Sequence, residues 1–372
     1  MPVNNLSARP HQEAVPHDGA SNVHRATNSP RSVILVGAGR RGLGAHLPAL
    51  DHCGYLRLTG IIDTKERIAQ LGENPALTVP MYDSLDPVLA GPRPDLAIVA
   101  TPHDSHVPLA GELLEARVPT LLEKPPARNA RELVRLLDLS HDLRTPLATS
   151  LPLHHRASHQ PFIELLRSPE LTDAEVRISA SVPSWQGAGS WRLSRERAGG
   201  GVLIDLGYHY LELLVACLGA PAHMSALLTN AADTRSEVEG EALVSLWFAH
   251  RRLQVELWLR SWPGSARGSD LSITRAGALL HRTCEVAPAR GGSRPGAAST
   301  PAAAQLQTLV TSGFLDGRGD WYQALGRQYL VMQLLDDLYA SAHRMACPPA
   351  IAGQPDMAWP AELTGLPERT PA

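Results

Sequence analysis

The sequence predicts an α/β protein in two parts. A parallel sheet with helices on both faces occupies residues 31–151, and an α+β domain with a large, mostly antiparallel open sheet follows over 152–347. Three observations carry that reading. In the first part, short continuous apolar runs alternate with helical patterns, as strands buried on both faces and joined by crossover helices do. In the second, strand-spaced runs succeed one another with little helix between them, which is how hairpin-joined antiparallel strands read. A glycine-rich turn stands directly after the first strand. At 372 residues the chain is long enough for two cores.

The elements follow in order. Val33-Ile34-Leu35-Val36 is the first strand, then the Gly-rich turn and an amphipathic stretch to about Leu50. Leu56 to Ile62 is the second strand and Lys65 to Leu71 its helix. Leu96 to Ala100 is the third, with His106 to Ala116 as its helix. Val118 to Leu122, the helix from Ala130 to Leu139 and a fifth strand from Leu147 to Leu151 complete the first part. Beyond it, strands are expected at Ala174 to Val182, Ala242 to Phe248, Leu253 to Leu259 and Leu271 to Thr274. Arg251-Arg252 reads as the hairpin turn between two of them. One strong helix, from Val202 to Leu218, interrupts this series, and Trp321 to His343 closes it. Residues 1–30 read as a disordered arm, the stretch from Ala287 to Ala304 as a long loop, and residues 348–372 as a Pro-rich tail.

Composition narrows the function. Net charge is −3, and no basic run carries interleaved aromatics, so nucleic acid is not an expected partner. Cys53, Cys217, Cys284 and Cys347 match no metal or redox spacing; no metal is expected, and a reduced, cytoplasmic protein fits. The polar N-terminus is no signal peptide, and no segment is expected to span a membrane.

The turn after the first strand is Gly37-Ala38-Gly39-Arg40-Arg41-Gly42, a G-x-G-x-x-G between strand and helix. In that setting the first Gly makes the tight turn, the second lets the backbone approach a pyrophosphate, and the third packs helix on strand. Asp63 ends the second strand, where a carboxylate accepts the ribose hydroxyls of a dinucleotide. A glycine turn with a capping Asp is the plainer alternative. A carboxylate there favours NAD over NADP, with Lys65, Arg67 and Arg40 softening its repulsion of a 2′-phosphate.

Lysine is nearly absent: Lys65 and Lys124 are the only two, so arginine fills almost every basic position. Lys124 follows a strand and precedes Pro125-Pro126, at a strand's carboxyl end, where ligands bind in such sheets. A compact, rotatable ammonium donor is what arginine's planar fork cannot supply; a spared surface lysine is the alternative. Gly199-Gly200-Gly201 opens the later helix, with Asp205 and His209 four apart on it. A neutral imidazole beside an orienting carboxylate is a general base for a hydroxyl proton. The glycines leave a positive helix end that would help keep His209 neutral. The same pair also reads as a helix-start Asp and a half-buried His.

Together these blocks resemble the Gfo/Idh/MocA family, the glucose-fructose oxidoreductase and inositol dehydrogenase group, over residues 32 to 345. The likeness rests on Gly37 to Gly42, Ala100-Thr101-Pro102 with His106, Glu123-Lys124-Pro125, Trp191-Arg192 and Gly199 to His209. It implies a Rossmann domain followed by an open sheet that lines the substrate site and often mediates oligomerisation. Lys124, Asp205 and His209 would be catalytic. The cofactor would meet Gly37, Gly39, Arg40, Arg41, Gly42, Asp63, Thr101, Pro102, His106, Glu123 and Lys124. Arg156, Trp185, Trp191 and Arg192, with His209, are candidates for the substrate side, though each arginine and tryptophan reads equally as packing or a surface ion pair. Two departures stand out: His103 takes the place of a common Asn, and Glu212 that of an Asp.

The activity so implied is reversible hydride transfer between nicotinamide and a secondary alcohol or ketone of a sugar, cyclitol or sugar derivative, in a homodimer or homotetramer. An NAD-dependent glycosidase of the same fold and a non-catalytic cofactor-sensing regulator are the alternatives.

Overall fold

Val33, Ile34, Leu35 and Val36 are at most 2 % exposed, which places the first strand at the centre of a sheet covered on both faces. The computed structural model describes residues 29–72, 74, 77–183, 190–230, 236–262, 266–286, 300–319 and 321–345. Nearly all of the N-terminal arm, Trp185, most of the 287–304 stretch, Cys347 and the C-terminal tail lie outside the described residues.

The first sheet contains β1 (Arg31–Val36), β2 (Leu56–Ile62), β3 (Met81–Tyr82), β4 (Leu96–Val99), β5 (Thr120–Leu122) and β6 (Leu147–Thr149). Its order is β3-β2-β1-β4-β5-β6, with every pair parallel. This is the doubly wound Rossmann arrangement, and its strand order reverses between β1 and β4. A crevice opens there at the strands' carboxyl ends.

The second sheet contains β7 (Ala174–Pro183), β8 (His223–Asn230), β9 (Glu239–Phe248), β10 (Leu253–Trp262), β11 (Gly268–Arg275), β12 (Ala278–Val286) and β13 (His343–Met345), in the order β12-β11-β7-β10-β9-β8-β13. It is mostly antiparallel, as expected, but β7 pairs parallel with β10 and β13 parallel with β8. Alternation sets its faces: Val255, Leu257 and Leu259 are fully buried, while Gln254, Glu256, Trp258 and Arg260 remain half-exposed.

The helix expected from Val202 to Leu218 begins as a π-helical turn, Leu203–Gly207, and continues as an α-helix, Tyr208–Leu218. The stretch Arg195–Leu218 is long and apolar enough to cross a membrane (mean hydropathy 1.5 over its best window), contrary to the sequence expectation. That window is 72 % buried in the protein, so its apolarity goes to the core.

The loop expected to run to Ala304 ends sooner. Thr300 accepts a hydrogen bond from the Ala303 N–H, Pro301 takes the first helical position, and Pro301–Thr311 is a helix. Its alanines are strong helix formers that composition alone reads as loop. This helix returns to the first sheet: Ala302, Ala303, Leu306 and Phe314 share one core with Val33, Leu35 and Ile61. Gln305 bridges to Thr149 and Leu151, its side-chain amide bonding the Thr149 carbonyl at 2.9 Å and the Leu151 N–H at 2.9 Å. The chain therefore crosses the boundary near residue 151 more than once, and its late helices brace the parallel sheet. Phe314→Ala should cost about 3–5 kcal/mol of stability in urea unfolding; a loss under about 1 kcal/mol would mean that this segment adds nothing to the first domain's core.

Candidate active site

The crevice between β1 and β4 is shaped by glycine. Gly37 has φ +97°, and a Cβ there would lie 2.6 Å from the Ala100 carbonyl oxygen and 2.8 Å from the Thr101 side chain. The turn thus presses against Ala100-Thr101-Pro102 at the end of β4. A Cβ on Gly39 would meet nothing within 4 Å, so backbone is bare toward open space where a pyrophosphate would come. Asp63 lies beside the turn: its Oδ2 accepts from the Ala38 N–H at 2.6 Å and its Oδ1 from the Thr64 N–H at 2.7 Å. Arg67 donates to the Ala38 carbonyl from Nε and Nη2, both at 3.1 Å, while Lys65 pairs with Asp83 at 3.3 Å. These residues fit a dinucleotide.

Glu123 and His106 were expected at the cofactor, but both lie beneath the cleft. Glu123 is 4 % exposed. Its Oε1 accepts from Arg41 (Nη2, 2.8 Å) and Ser150 (3.0 Å), and lies 2.6 Å from His46 Nε2. Burial opposes its charge, yet Arg41, His46 and Lys124 outweigh that and hold its carboxyl well below the usual range. Glu123 seats Arg41 and the start of the Lys124 segment. His106 is wholly buried, with Nδ1 2.8 Å from the Pro125 carbonyl and Nε2 3.0 Å from the Thr101 carbonyl. It ties the end of β4 to the segment after β5, a positioning role.

Lys124 crosses from the end of β5 to the second domain's helix. Its Nζ donates to the Asp205 carboxylate at 2.7 Å and to the Asp205 backbone carbonyl at 2.5 Å. Burial works against the Asp205 charge, but Lys124, with Arg192 adding to it, holds it strongly ionised. No hydrogen bond joins Asp205 to His209 among the described residues, contrary to the expected pairing. Asp205 lies inside the π turn and His209 in the α-helix after it, so spacing by four does not bring them together as in a regular helix. The lysine captures the carboxylate instead.

His209 is half-buried, and its Nδ1 is buried without a hydrogen-bond partner. Burial, then Lys124 and Arg41, push its imidazole well below its ordinary 6.5, against Glu123 and Asp205. The imidazole is therefore neutral near pH 7, and its unpaired Nδ1 is closed off from solvent. The helix end is not what keeps it neutral. Glu239, 1 % exposed on β9, takes that end with Oε1, accepting from the Gly201 N–H (2.9 Å), the Leu203 N–H (3.0 Å) and the Tyr339 hydroxyl (2.7 Å). The glycines allow this approach: a Cβ on Gly201 would lie 2.0 Å from the Glu239 carbonyl oxygen, and one on Gly200 2.1 Å from the Tyr339 hydroxyl.

His103, where the resemblance leads one to expect Asn, belongs to this site. It is 4 % exposed, with Nδ1 2.9 Å from the Ala198 carbonyl and Nε2 4.0 Å from Asp205 Oδ1. Burial, with His106 nearby, lowers its pKa to about 3, so it too is neutral. The Trp191 ring meets it edge-on at 4.5 Å, and the Arg192 guanidinium lies over Trp191 at 4.2 Å. Arg156, in contrast, is bound to Glu285 on β12 and touches neither Lys124 nor Asp205. The sequence reading missed the supporting roles of His46, Ser150, Glu239 and Tyr339; only the Gly triplet, which needs something close against it, hinted at the last two.

A cavity of about 650 Å3 lies at the opposite edge, by the amino ends of β1, β4, β5 and β6, lined by Arg31, Arg93, Arg117 and Arg144 among others. None of the residues above lines it.

Comparison with known proteins accords with this geometry. Residues 31–148 match the oxidoreductase family with an NAD-binding Rossmann fold, and residues 170–275 match the GFO/IDH/MocA C-terminal domain. D-glucoside 3-dehydrogenase of Escherichia coli (strain K12) is 28 % identical over 203 residues, 53 % of this chain and 56 % of that protein. The chain thus spans a little over half the length of that curated relative. Among solved structures, GenD2 from gentamicin A biosynthesis, in complex with NAD, superposes with a TM-score of 0.71 at 22 % identity, covering 88 % of this chain and 97 % of that one. KijD10, a 3-ketoreductase from Actinomadura kijaniata in complex with NADP and TDP-benzene, gives 0.66 at 19 % identity, covering 86 % and 100 %. Both show the shared fold. With its Rossmann sheet, its second sheet and both family domains in order, this chain belongs to the Gfo/Idh/MocA family of NAD(P)-binding oxidoreductases.

Proposed function

We propose that this protein transfers a hydride between NAD and a secondary alcohol or ketone of a sugar, cyclitol or sugar derivative. The observation that carries the reading is the Lys124–Asp205 clamp at 2.7 Å beside a half-buried His209 that burial, Lys124 and Arg41 keep neutral. Bound nicotinamide would supply the hydride acceptor or donor. In the oxidative direction, His209 removes the hydroxyl proton as the carbinol C–H bond breaks and C–O becomes C=O. Lys124 donates to that same oxygen and stabilises the charge building on it. Asp205 aims the Lys124 ammonium, and His103 and Trp191 close the wall behind Asp205. Reduction runs the same steps backwards.

NAD is the preferred dinucleotide in this reading, because the Asp63 carboxylate stands at the turn where a 2′-phosphate would have to lie. The half-exposed outer face of the second sheet carries Trp247, Trp258 and Trp262 and supports the expected homo-oligomer. The protein would act in the cytoplasm on a small polyhydroxylated substrate.

Lys124→Ala should lower kcat by about 10²–10⁴-fold while NAD affinity changes little. Near-normal turnover in that variant would remove Lys124 from the mechanism. At low cofactor and sugar, kcat/KM for oxidation should hold steady from pH 8 down to 6.5 and fall only at lower pH, because the free enzyme's His209 protonates well below 6.5. An acid limb centred at 6.5 or above, or one unchanged in His209→Asn, would sink its assignment. NAD or NADH at about a hundred times its dissociation constant should add about 2.7 kcal/mol of stability in thermal unfolding, and more than equal NADP or NADPH. A larger gain with the phosphorylated pair would reverse the cofactor preference.

A further inference from the structure

His103 opens the helix His103–Glu115 directly after β4, so it stands at the crevice where the strand order reverses. Three contacts fix its ring. Nδ1 lies 2.9 Å from the Ala198 carbonyl, Trp191 meets the ring edge-on at 4.5 Å, and the His106 ring lies tilted at 5.6 Å. Ala198 ends a short helix of the second domain, so this histidine spans the seam beside Lys124 and Asp205.

These contacts decide where its proton is. A carbonyl oxygen only accepts, so Nδ1 carries the proton and donates it to Ala198. Burial, with His106 adding to it, lowers the ring's pKa to about 3 against the pull of Asp205, so His103 is neutral near pH 7. Nε2 is then a lone-pair acceptor, and it has no hydrogen bond among the described residues. What it faces is another acceptor. Asp205 Oδ1, paired with Lys124, lies 4.0 Å away. The two side chains are only 4 % and 20 % exposed, so bulk water has little access to either. Two acceptors so close and so nearly enclosed are unfavourable until a donor reaches both. One nitrogen can lie about 2.9 Å from each when they are 4.0 Å apart, but it must bring two protons. A hydroxyl has one; a primary amide has two on a single nitrogen.

We propose that His103 Nε2 and the Asp205 carboxylate together take the two N–H protons of the primary carboxamide on the cofactor's nicotinamide ring. The proposal rests on the oxidoreductase reading above and adds a cofactor contact to it. Holding the carboxamide at two points would fix the ring's rotation about its glycosidic bond, and with it the face turned toward the substrate. His103 would then be a cofactor-positioning residue whose donor and acceptor ends are set by the Ala198 carbonyl.

The test compares NADH with its reduced 3-acetylpyridine analogue, which keeps the ring carbonyl but has a methyl group in place of the NH2. Calorimetric titration of the full chain, freed of retained cofactor, should give NADH an affinity about tenfold or more above the analogue's. His103→Phe, which keeps a ring against Trp191 but has no acceptor, should cut that ratio to about a third or less. His103→Gln, which keeps one donor and one acceptor, should restore part of it and guards against misfolding. In histidine 15N spectra, the resonances lost in His103→Phe should show a proton on Nδ1 alone near pH 7. The Nε2 resonance should move with NADH and not with the analogue. Equal affinities in the unaltered protein, an undiminished ratio in His103→Phe, or a proton on Nε2 would overturn the proposal. Hydride transfer with sugars is read separately from nicotinamide absorbance. The affinity ratio without transfer would sink the oxidoreductase reading alone, and transfer without the ratio would sink this proposal alone. Failure of both dinucleotides to bind would sink both.

Discussion

Lys124 and Asp205 come from different domains, and their ion pair sets how the two halves of the site face each other. Lys124 ends a strand of the parallel sheet; Asp205 lies in the first turn of a helix packed on the other. Both side chains are mostly buried, at 11 % and 20 % exposure, so either charge alone would be costly. Asp205 is held at two points, because Lys124 donates to both its carboxylate and its backbone carbonyl. Other cross-domain contacts reinforce this seam: His103 to the Ala198 carbonyl, Arg128 to the Glu196 carbonyl and Arg197 to Asp104. In the proposed reaction, cofactor and substrate would meet in register only if this seam holds.

Behind the pair, each charged or polar support is itself supported. Glu123 is ringed by Arg41, His46 and Ser150, and it lies next to Lys124 in sequence, so the glycine turn and the lysine share one anchor. Glu239 and Tyr339 do the same for the helix carrying Asp205 and His209, taking N–H groups that a helix start leaves unbonded. The site is thus assembled from element ends that are each held by a buried partner.

Much of this was legible in sequence because it depends on local patterns. The strands β1, β2, β4 and β5 read directly from continuous apolar runs, and the glycine turn from its spacing and setting. Lys124 stood out by the scarcity of lysine. What was not legible depends on pairs remote in sequence or on helix geometry. Glu239 looks like any strand-start acid until the Gly200-Gly201 backbone lies against it. The parallel pairing of β7 with β10 cannot be seen from two alternating strands. The π turn at Leu203–Gly207 changes which residues share a face, so the expected Asp205–His209 bond gave way to the lysine's. His103 was noticed as an exception, but its contact with Trp191 needed the fold.

Positive charge near His209 bears on the base itself. In the unliganded protein, Lys124 and Arg41 are among the causes that depress His209, which makes it a weak proton acceptor. The phosphates of a dinucleotide bound at the glycine turn would offset part of that field, and the imidazole's pKa would rise toward the range where a general base is most effective. Cofactor binding would then tune His209 for proton abstraction. The same field, undiminished at Lys124's own hydrogen bond, still favours negative charge on the substrate oxygen. In the proposed reaction, the cations that steady the substrate oxygen thus also set the strength of the base that acts on it.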